Sequence, residues 1–533
     1  MQKLLLLGDE AIAQGAIDAG ISGVYAYPGT PSTEIMEYVQ RNKEAKEKNI
    51  YSSWSTNEKT AMETALGMSY AGKRALVCMK HVGLNVAADP FMNSSITGVN
   101  GGIIVVAADD PSMHSSQNEQ DSRFYGKFAM IPVLEPANQQ QAYEMMHYGF
   151  DISEKYQIPV MLRITTRLAH SRAGVNPMNI KEQNQTRLPS DLRQFVLLPA
   201  IARKRYKSLL QKQELFEKES KNSEFNKYIE GTDKSKGIIA SGIAYNYLLE
   251  NFPDRVIPYP VLKIGQYPLP NKMIEKLFDE CDEILVLEDG YPIVEEMVKE
   301  FLLKGVSIKG RLDGTIPRDG ELNPNIIALA LGLEISEGLE IPDFVAGRPP
   351  SFCKGCSHID TYKALNEALE DYSKGRVFAD IGCYTLGALP PFQSINSCVD
   401  MGASITMAIG AADAGLIPAI AVIGDSTFTH SGITGLLDAI NRKSPVTVLI
   451  LDNSATAMTG GQKSSATGKV EGICKGLGVE EEHIKFMKPL RKFHDVNVKI
   501  IKEEVKYMGV SVVISERECV QTLSKRMRAK FKK

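Results

Sequence analysis

A chain of 533 residues exceeds what one hydrophobic core organises, and three or four domains are expected. Its 61 Lys and Arg against 64 Asp and Glu leave a formal charge of −3, which argues against a nucleic-acid binder relying on a general basic field. Hydrophobic residues at 43% and charged residues at 23% argue against a disordered or low-complexity chain. The longest apolar run, Ile103 to Ala108, falls far short of the roughly 18 residues of a membrane span. The opening MQKLLLLGDE holds too short an apolar stretch for a signal peptide, so no membrane span and a cytoplasmic location are expected. Eight cysteines form no disulfide scaffold, and Cys353-x-x-Cys356 is the one close pair, which directs attention to metal or redox chemistry.

Residues 1–175 alternate short apolar runs with helical stretches. GVYAYPG, RALVCM, GGIIVVAADD and IPVMLRIT read as strands of a parallel sheet with function at its carboxyl ends, making one α/β domain. Residues 176–235, rich in Lys and Glu, read as a solvated helical linker. A second α/β domain over 236–345 has strand candidates GIIASG, RVIPYPV and EILVLED and no obvious catalytic cluster. A third, over 346–533, has RVFADIG, IPAIAVIGD, PVTVLILDN and GVSVVISE, and its basic tail LSKRMRAKFKK reads as a solvated terminus.

The stretch AIAVIGDSTFTHSGITGLLDAINRKSPVTVLILDNSATAMTGGQ is one βαβ unit. A right-handed crossover puts Asp425 and Asn453 on the same carboxyl edge. The Asp425 carboxylate, the Asn453 amide oxygen and a loop carbonyl near Ala455 are hard ligands suited to Mg2+, with a diphosphate as the natural third partner. Gly424 permits close backbone approach, and the helix beginning near Thr427 offers N–H groups to an anion. A strand-end Asp and Asn that merely cap a helix and a turn are the bland alternative. GGQKSSATGKV is not a Walker A loop, because Lys463 stands where its first Gly is needed and Val470 where its final Ser or Thr belongs.

This unit resembles the GDG-to-N signature of thiamine diphosphate enzymes, with Ser426 in place of the last Gly. DNSATAMTGGQ, YPGTPSTE, MKHVGLNVAADP, DDPSMHSSQNEQDSR, TTRLAHSR, RPPSFCKGC, DIGCYTLGALPPF and MGASITMAIGAADAG extend the likeness over nearly all of residues 1–520. Together they resemble the alpha subunits of the indolepyruvate:ferredoxin oxidoreductases, within the 2-oxoacid:ferredoxin oxidoreductases. The resemblance implies a pyrimidine-binding domain over 1–175, a transketolase C-terminal-like domain over 236–345 and a diphosphate-binding domain over 346–533. It implies cofactor contacts from Tyr27, Pro28 and Gly29; from Gly382, Cys383 and Tyr384; from Gly402 and Ala403; from Gly424, Asp425, Ser426 and Thr427; and from Asn453, Ala455, Thr456, Ala457 and Met458.

Thiamine catalysis needs a carboxyl group on the aminopyrimidine ring, and Glu58 in WSTNEKTAMETALG is the candidate, with Glu63 its rival. The resemblance assigns the substrate carboxylate to Thr30 and Arg123, and an always-charged, bidentate Arg suits that grip; the bland reading of Arg123 is a loop salt bridge. His81 and His430 are candidate proton relays, although a lone loop His is more often structural. The likeness maps a 4Fe-4S cluster onto Cys353, Cys356, Cys383 and Cys519, with Lys354 where the family usually has Pro. A zinc site using Cys398, or unligated thiols, are the alternatives.

The implied activity is oxidative decarboxylation of an aryl 2-oxoacid such as indolepyruvate or phenylpyruvate to an acyl-coenzyme A, with electrons passed to ferredoxin or a similar carrier. A smaller beta subunit and a dimer or heterotetramer are implied as well. The sequence contains no paired CxxCxxCxxxCP runs of a ferredoxin-like domain, so electrons are expected to leave through another subunit or an external carrier. That lack also motivates the alternative of a non-oxidative decarboxylase or carboligase.

Overall fold

The run IIVVAAD forms the strand Ile103–Asp109, and every one of its residues is buried, as a strand covered by helices on both faces must be. It is the centre of a seven-stranded sheet ordered Gln266–Tyr267, Val133–Leu134, Val160–Thr165, Ile103–Asp109, Ala75–Lys80, Gly23–Ala26 and Tyr51–Trp54. All neighbours are parallel except Gln266–Tyr267, which runs antiparallel to Val133–Leu134. In this computed structural model residues 3–191, 193–299, 305–335, 338–347 and 350–531 are described; the Arg348–Pro349 step of RPPSFCKGC and the last two lysines of the basic tail lie outside them. The chain divides into two compact units, residues 1–339 and 340–533.

The first unit also holds a five-stranded sheet ordered Ser307–Lys309, Glu283–Leu287, Gly237–Ser241, Val261–Ile264 and Lys227–Ile229. RVIPYPV was a strand candidate, yet pairing begins only at Val261. Pro258 and Pro260 lack the N–H a ladder needs and hold the preceding stretch out of the sheet. The polar segment before this sheet contains the helix Pro199–Lys221, which buries Leu209, Phe216 and Ser220 and leaves most of its surface in solvent.

The second unit is built on a six-stranded, wholly parallel sheet ordered Ser397–Cys398, Val377–Ala379, Ala419–Gly424, Val446–Asp452, Ser511–Glu516 and Ile484–Met487. Ala419–Gly424 and Val446–Asp452 are buried along their whole lengths. The fold is α/β with parallel sheets in both units. No described helix is long and apolar enough to cross a membrane.

Candidate active site

In the first unit the strand order reverses at Gly23–Ala26: the next strand, Tyr51–Trp54, pairs on one side and Ala75–Lys80 on the other. Loops that leave such a switch point open a crevice at the carboxyl edge of the sheet. Tyr27, Pro28, Gly29 and Thr30 leave the first strand, with Tyr27 and Pro28 buried and Gly29 and Thr30 half-buried; Lys80 and His81 end the second. The two loops touch, since a Cβ on Gly29 would lie 3.2 Å from that of Lys80. Lys80 Nζ donates to the Ser115 carbonyl at 2.7 Å, and burial lowers its pKa to about 8. Burial also pushes the buried His81 imidazole down, against an opposing pull from Asp109.

Glu58 is the first residue of the helix Glu58–Tyr70, whose Asn57 cap accepts from the Thr60 N–H at 2.8 Å. Its side chain is buried against Gly83, where any Cβ would fall 2.5 Å from Glu58 Oε1. Gly83, two residues beyond His81, therefore makes room for this carboxyl. Glu63 instead stands nearly half exposed in an ion pair with Lys59.

Arg123 lies at the start of the helix Arg123–Ala129. It is 1% exposed and ion-paired to Asp121, to Glu288 at 3.1 Å and to Glu135 at 3.6 Å. Its Nε donates to Asp121 at 2.9 Å, Nη1 to Ser241 and Tyr267 at 3.3 and 3.2 Å, and Nη2 to the Tyr291 carbonyl at 2.9 Å. Every arm of the guanidinium meets a partner inside the protein in this structure. Arg163 is fully buried beside it, paired with Asp109 at 2.7 Å and Glu135 at 2.6 Å.

In the second unit the order reverses at Val377–Ala379, between Ser397–Cys398 and Ala419–Gly424. Asp380 follows the first strand, buried, taking the Ser404 hydroxyl at 2.6 Å and the Tyr384 hydroxyl. Burial raises its pKa to about 6. Sequence reasoning passed over Asp380, although its place at a strand end in DIGCYT is the same signal that picked out Asp425. The Tyr384 ring lies over Gly424, where a Cβ would come within 2.7 Å of it, and Gly402 caps the helix starting at Ala403 with φ of 96°, a region that favours glycine.

Asp425 begins the turn after Ala419–Gly424 and is 2% exposed. Ser464 hydrogen-bonds its carboxyl, but Oδ2 is buried with no partner among the described residues. Burial, and then the nearby Asp452, push its pKa up to about 7. Asn453 follows the adjacent strand and takes the Ala455 N–H at 3.0 Å; Ser426 and Thr456 hydroxyls meet at 2.8 Å, and Thr427 donates to the Ile381 carbonyl at 3.2 Å. A buried carboxylate oxygen without a partner among the described residues, at a strand end adjacent to the one that Asn453 follows, fits a hard divalent cation. Ala457 and the exposed Met458 lie on the turn joining the paired strands Ala455–Thr456 and Gln462–Lys463. His430 is buried in the helical segment Phe428–Gly432, with Nδ1 2.6 Å from the Ser431 hydroxyl.

All four mapped cysteines belong to this second unit; Cys353 is exposed, and Cys356, Cys383 and Cys519 are partly so. Burial, then proximity to Cys356, Cys519 and Cys353, pushes the Cys383 thiol up to about 12. Among the described residues no three of these sulfurs lie within 4.8 Å of one another. A closed tetrahedral zinc at about 2.3 Å from each sulfur would hold them roughly 4 Å apart. Cys398 points elsewhere, to the Asp380 carbonyl and the Thr385 hydroxyl, each at 3.8 Å. Cys78, Cys281 and Cys474 are buried.

Residues 14–213 match the family model for the thiamine diphosphate-binding part of pyruvate flavodoxin/ferredoxin oxidoreductases, and residues 380–512 that of the C-terminal, TPP-binding domain of thiamine pyrophosphate enzymes. The chain is 40% identical to indolepyruvate oxidoreductase subunit IorA of Pyrococcus abyssi, over 97% of this chain and 86% of that protein. It is 39% identical to the IorA subunit of Archaeoglobus fulgidus, over 100% of this chain and 89% of that protein. Among solved structures, 2-oxoglutarate:ferredoxin oxidoreductase from Magnetococcus marinus with 2-oxoglutarate, coenzyme A and succinyl-CoA bound shares the fold, with a TM-score of 0.50 and 16% identity over 62% of this chain and 65% of that one.

Proposed function

The chain belongs to the family of indolepyruvate oxidoreductase subunit IorA, and on that premise we propose that it oxidatively decarboxylates an aryl 2-oxoacid such as indolepyruvate or phenylpyruvate to the acyl-coenzyme A. It is a subunit of a thiamine diphosphate-dependent 2-oxoacid:ferredoxin oxidoreductase, so the non-oxidative decarboxylase or carboligase alternative is set aside. The observation that carries the site assignment is Asp425 Oδ2, buried and unpartnered at the carboxyl edge of a parallel sheet.

In this reading Asp425, Asn453 and the Ala455 carbonyl hold Mg2+ and, through it, the cofactor diphosphate, while Gly424 and Gly402 let the backbone come close. Thiamine diphosphate, when bound, supplies the carbon nucleophile and electron sink that decarboxylation of a 2-oxoacid requires. Glu58 hydrogen-bonds the aminopyrimidine and holds its proton balance, and Gly83 leaves the carboxyl room to do so. Thr30 orients the substrate carboxylate from the switch-point loop. Lys80 and His81, at the neighbouring strand end, supply further cationic and neutral donors. A smaller beta subunit, a ferredoxin-type acceptor, a dimeric or heterotetrameric assembly, a cytoplasmic location and the four-part division at 175, 235 and 345 complete the proposal.

Glu58→Gln is the test. Thiamine diphosphate affinity is expected to stay within a few-fold by calorimetry while turnover falls by about 10²–10⁴. Glu63→Gln is expected to leave both unchanged. A Glu58→Gln enzyme with normal turnover would assign the acid elsewhere.

We further propose that Cys353, Cys356, Cys383 and Cys519 hold one 4Fe-4S cluster, a reading supported by the proximity of Cys383 to the other three thiols. Anaerobically purified protein is expected to contain about four iron per chain, and Cys519→Ala to lose the iron and the reduction of the acceptor while still binding thiamine diphosphate. Iron-free protein that reduces the acceptor at full rate would defeat the cluster.

A further inference from the structure

Within the first unit, three side chains that the proposed chemistry does not use converge at a point where three helices meet. Asp9 lies in the first turn of Gly8–Asp18, Glu34 in the first turn of Thr33–Arg41, and His170 ends Thr166–His170. Their ligand atoms all lie within 4.8 Å of one another. Asp9 is 0% exposed, and neither of its carboxylate oxygens has a hydrogen-bond partner among the described residues. Glu34 Oε2 is buried as well, and His170 Nε2 stands 3.7 Å from it, too far for a hydrogen bond. Asp9, facing the Glu34 carboxylate with no donor of its own among the described residues, is costly to hold charged unless something positive or a shared proton joins the two acids.

We propose that Asp9, Glu34 and His170 bind one divalent cation of the class that accepts mixed oxygen and nitrogen donors. The imidazole separates this set from the all-oxygen set around Asp425 and selects ions such as Mn2+ or Zn2+ over Mg2+. Ligands at about 2.0–2.2 Å from a shared ion stand roughly 3–3.5 Å apart, so the set must contract a little around it. His170, whose side chain is 36% exposed, is free to make that movement and opens the path from solvent. Burial and the Glu34 charge push the Asp9 carboxyl well above its ordinary range, a cost that a bound cation reverses. The consequence is local: Glu34 stands four residues after Thr30, in the first turn of the helix that follows the Tyr27–Thr30 loop, so the ion ties that helix to the helix Gly8–Asp18.

The experiment titrates chelator-treated full-length protein with Mn2+ alone, without thiamine diphosphate, and counts bound ion by electron paramagnetic resonance. Mn2+ is chosen because thiolates are poor ligands for it. His170→Gln and Asp9→Asn are each expected to bind one Mn2+ per chain fewer than the parent, and Asp425→Ala to lose a separate equivalent. Mn2+ is expected to raise the melting temperature of the parent and of Asp425→Ala more than that of His170→Gln. His170 lies at the surface, so its substitution tests the site without threatening the core. Equal Mn2+ stoichiometry in the parent and His170→Gln would overturn the proposal. So would an Asp9→Asn protein that keeps its Mn2+ and melts higher than the metal-free parent, because the acids would then be joined by a shared proton.

Discussion

Asp425→Ala is expected to remove Mg2+-dependent binding of thiamine diphosphate. The substitution takes away the charged ligand from a site where the remaining donors, an amide oxygen and a carbonyl, are neutral. Loss of one partner from a buried charge pair costs about 3–5 kcal/mol, which corresponds to roughly 150- to 4000-fold in affinity. The pH dependence of the parent protein checks the same assignment. Burial raises the metal-free Asp425 pKa from 3.8 to about 7, so the native state holds a proton there that the unfolded chain has released. Stability of the metal-free protein therefore falls as pH rises between 3.8 and about 7, by about 4 kcal/mol for this group alone. The cation must displace that proton: apparent Mg2+ affinity is expected to drop about tenfold per pH unit below 7 and to level off above it. In Asp425→Asn the part of each dependence that this group contributes should vanish. An Asp425→Ala protein with parental cofactor affinity in calorimetry would transfer the metal to Asp452, the acid already close enough to raise Asp425.

Asp425 was legible because it ends a continuous apolar run and Asn453 ends the next one. Two parallel strands buried on both faces leave no alternation to misread, and the crossover rule then puts their ends together. Glu58 was separable from Glu63 for a similar local reason: it falls on the face with Met62, Ala65 and Leu66, which the helix buries. What makes room for the Glu58 carboxyl, the missing Cβ of Gly83, belongs to another helix and leaves no mark in the local sequence. Ser464, which hydrogen-bonds Asp425, lies in the stretch weighed only as a failed phosphate loop. The short strands Tyr51–Trp54, Val133–Leu134 and Gln266–Tyr267 escaped notice because two to four residues carry too little periodicity. The surroundings of Arg123 are illegible through the same limit at longer range. Its loop looked open, whereas Glu288 and Tyr267, which close over it, come from more than 140 residues further along.

That closure sets the second large effect. Arg123→Met is expected to destabilise the protein by about 3–5 kcal/mol, because it strands the charges of Asp121, Glu135 and Glu288 in a dry interior. Arg123→Lys should recover only part of this loss. One ammonium cannot reach Asp121, Ser241, Tyr267 and the Tyr291 carbonyl at once, and the planar fork that serves all four is gone. The sign with pH follows from Glu288, whose pKa burial already lifts to about 7 against the pull of Arg123. Without Arg123 it rises further, so the variant gives up more stability than the parent as pH climbs through neutrality. Urea unfolding at pH 6 and pH 8 is therefore expected to show the smaller deficit at pH 6. A substrate grip makes the opposite forecast: Arg123→Lys would unfold like the parent at both pH values and show only a raised KM for the 2-oxoacid. That result would return Arg123 to the substrate. Parental KM with lowered stability would assign it to the joint between the seven-stranded and five-stranded sheets, which its partners Glu135, just past Val133–Leu134, Ser241 on Gly237–Ser241 and Tyr267 on Gln266–Tyr267 span.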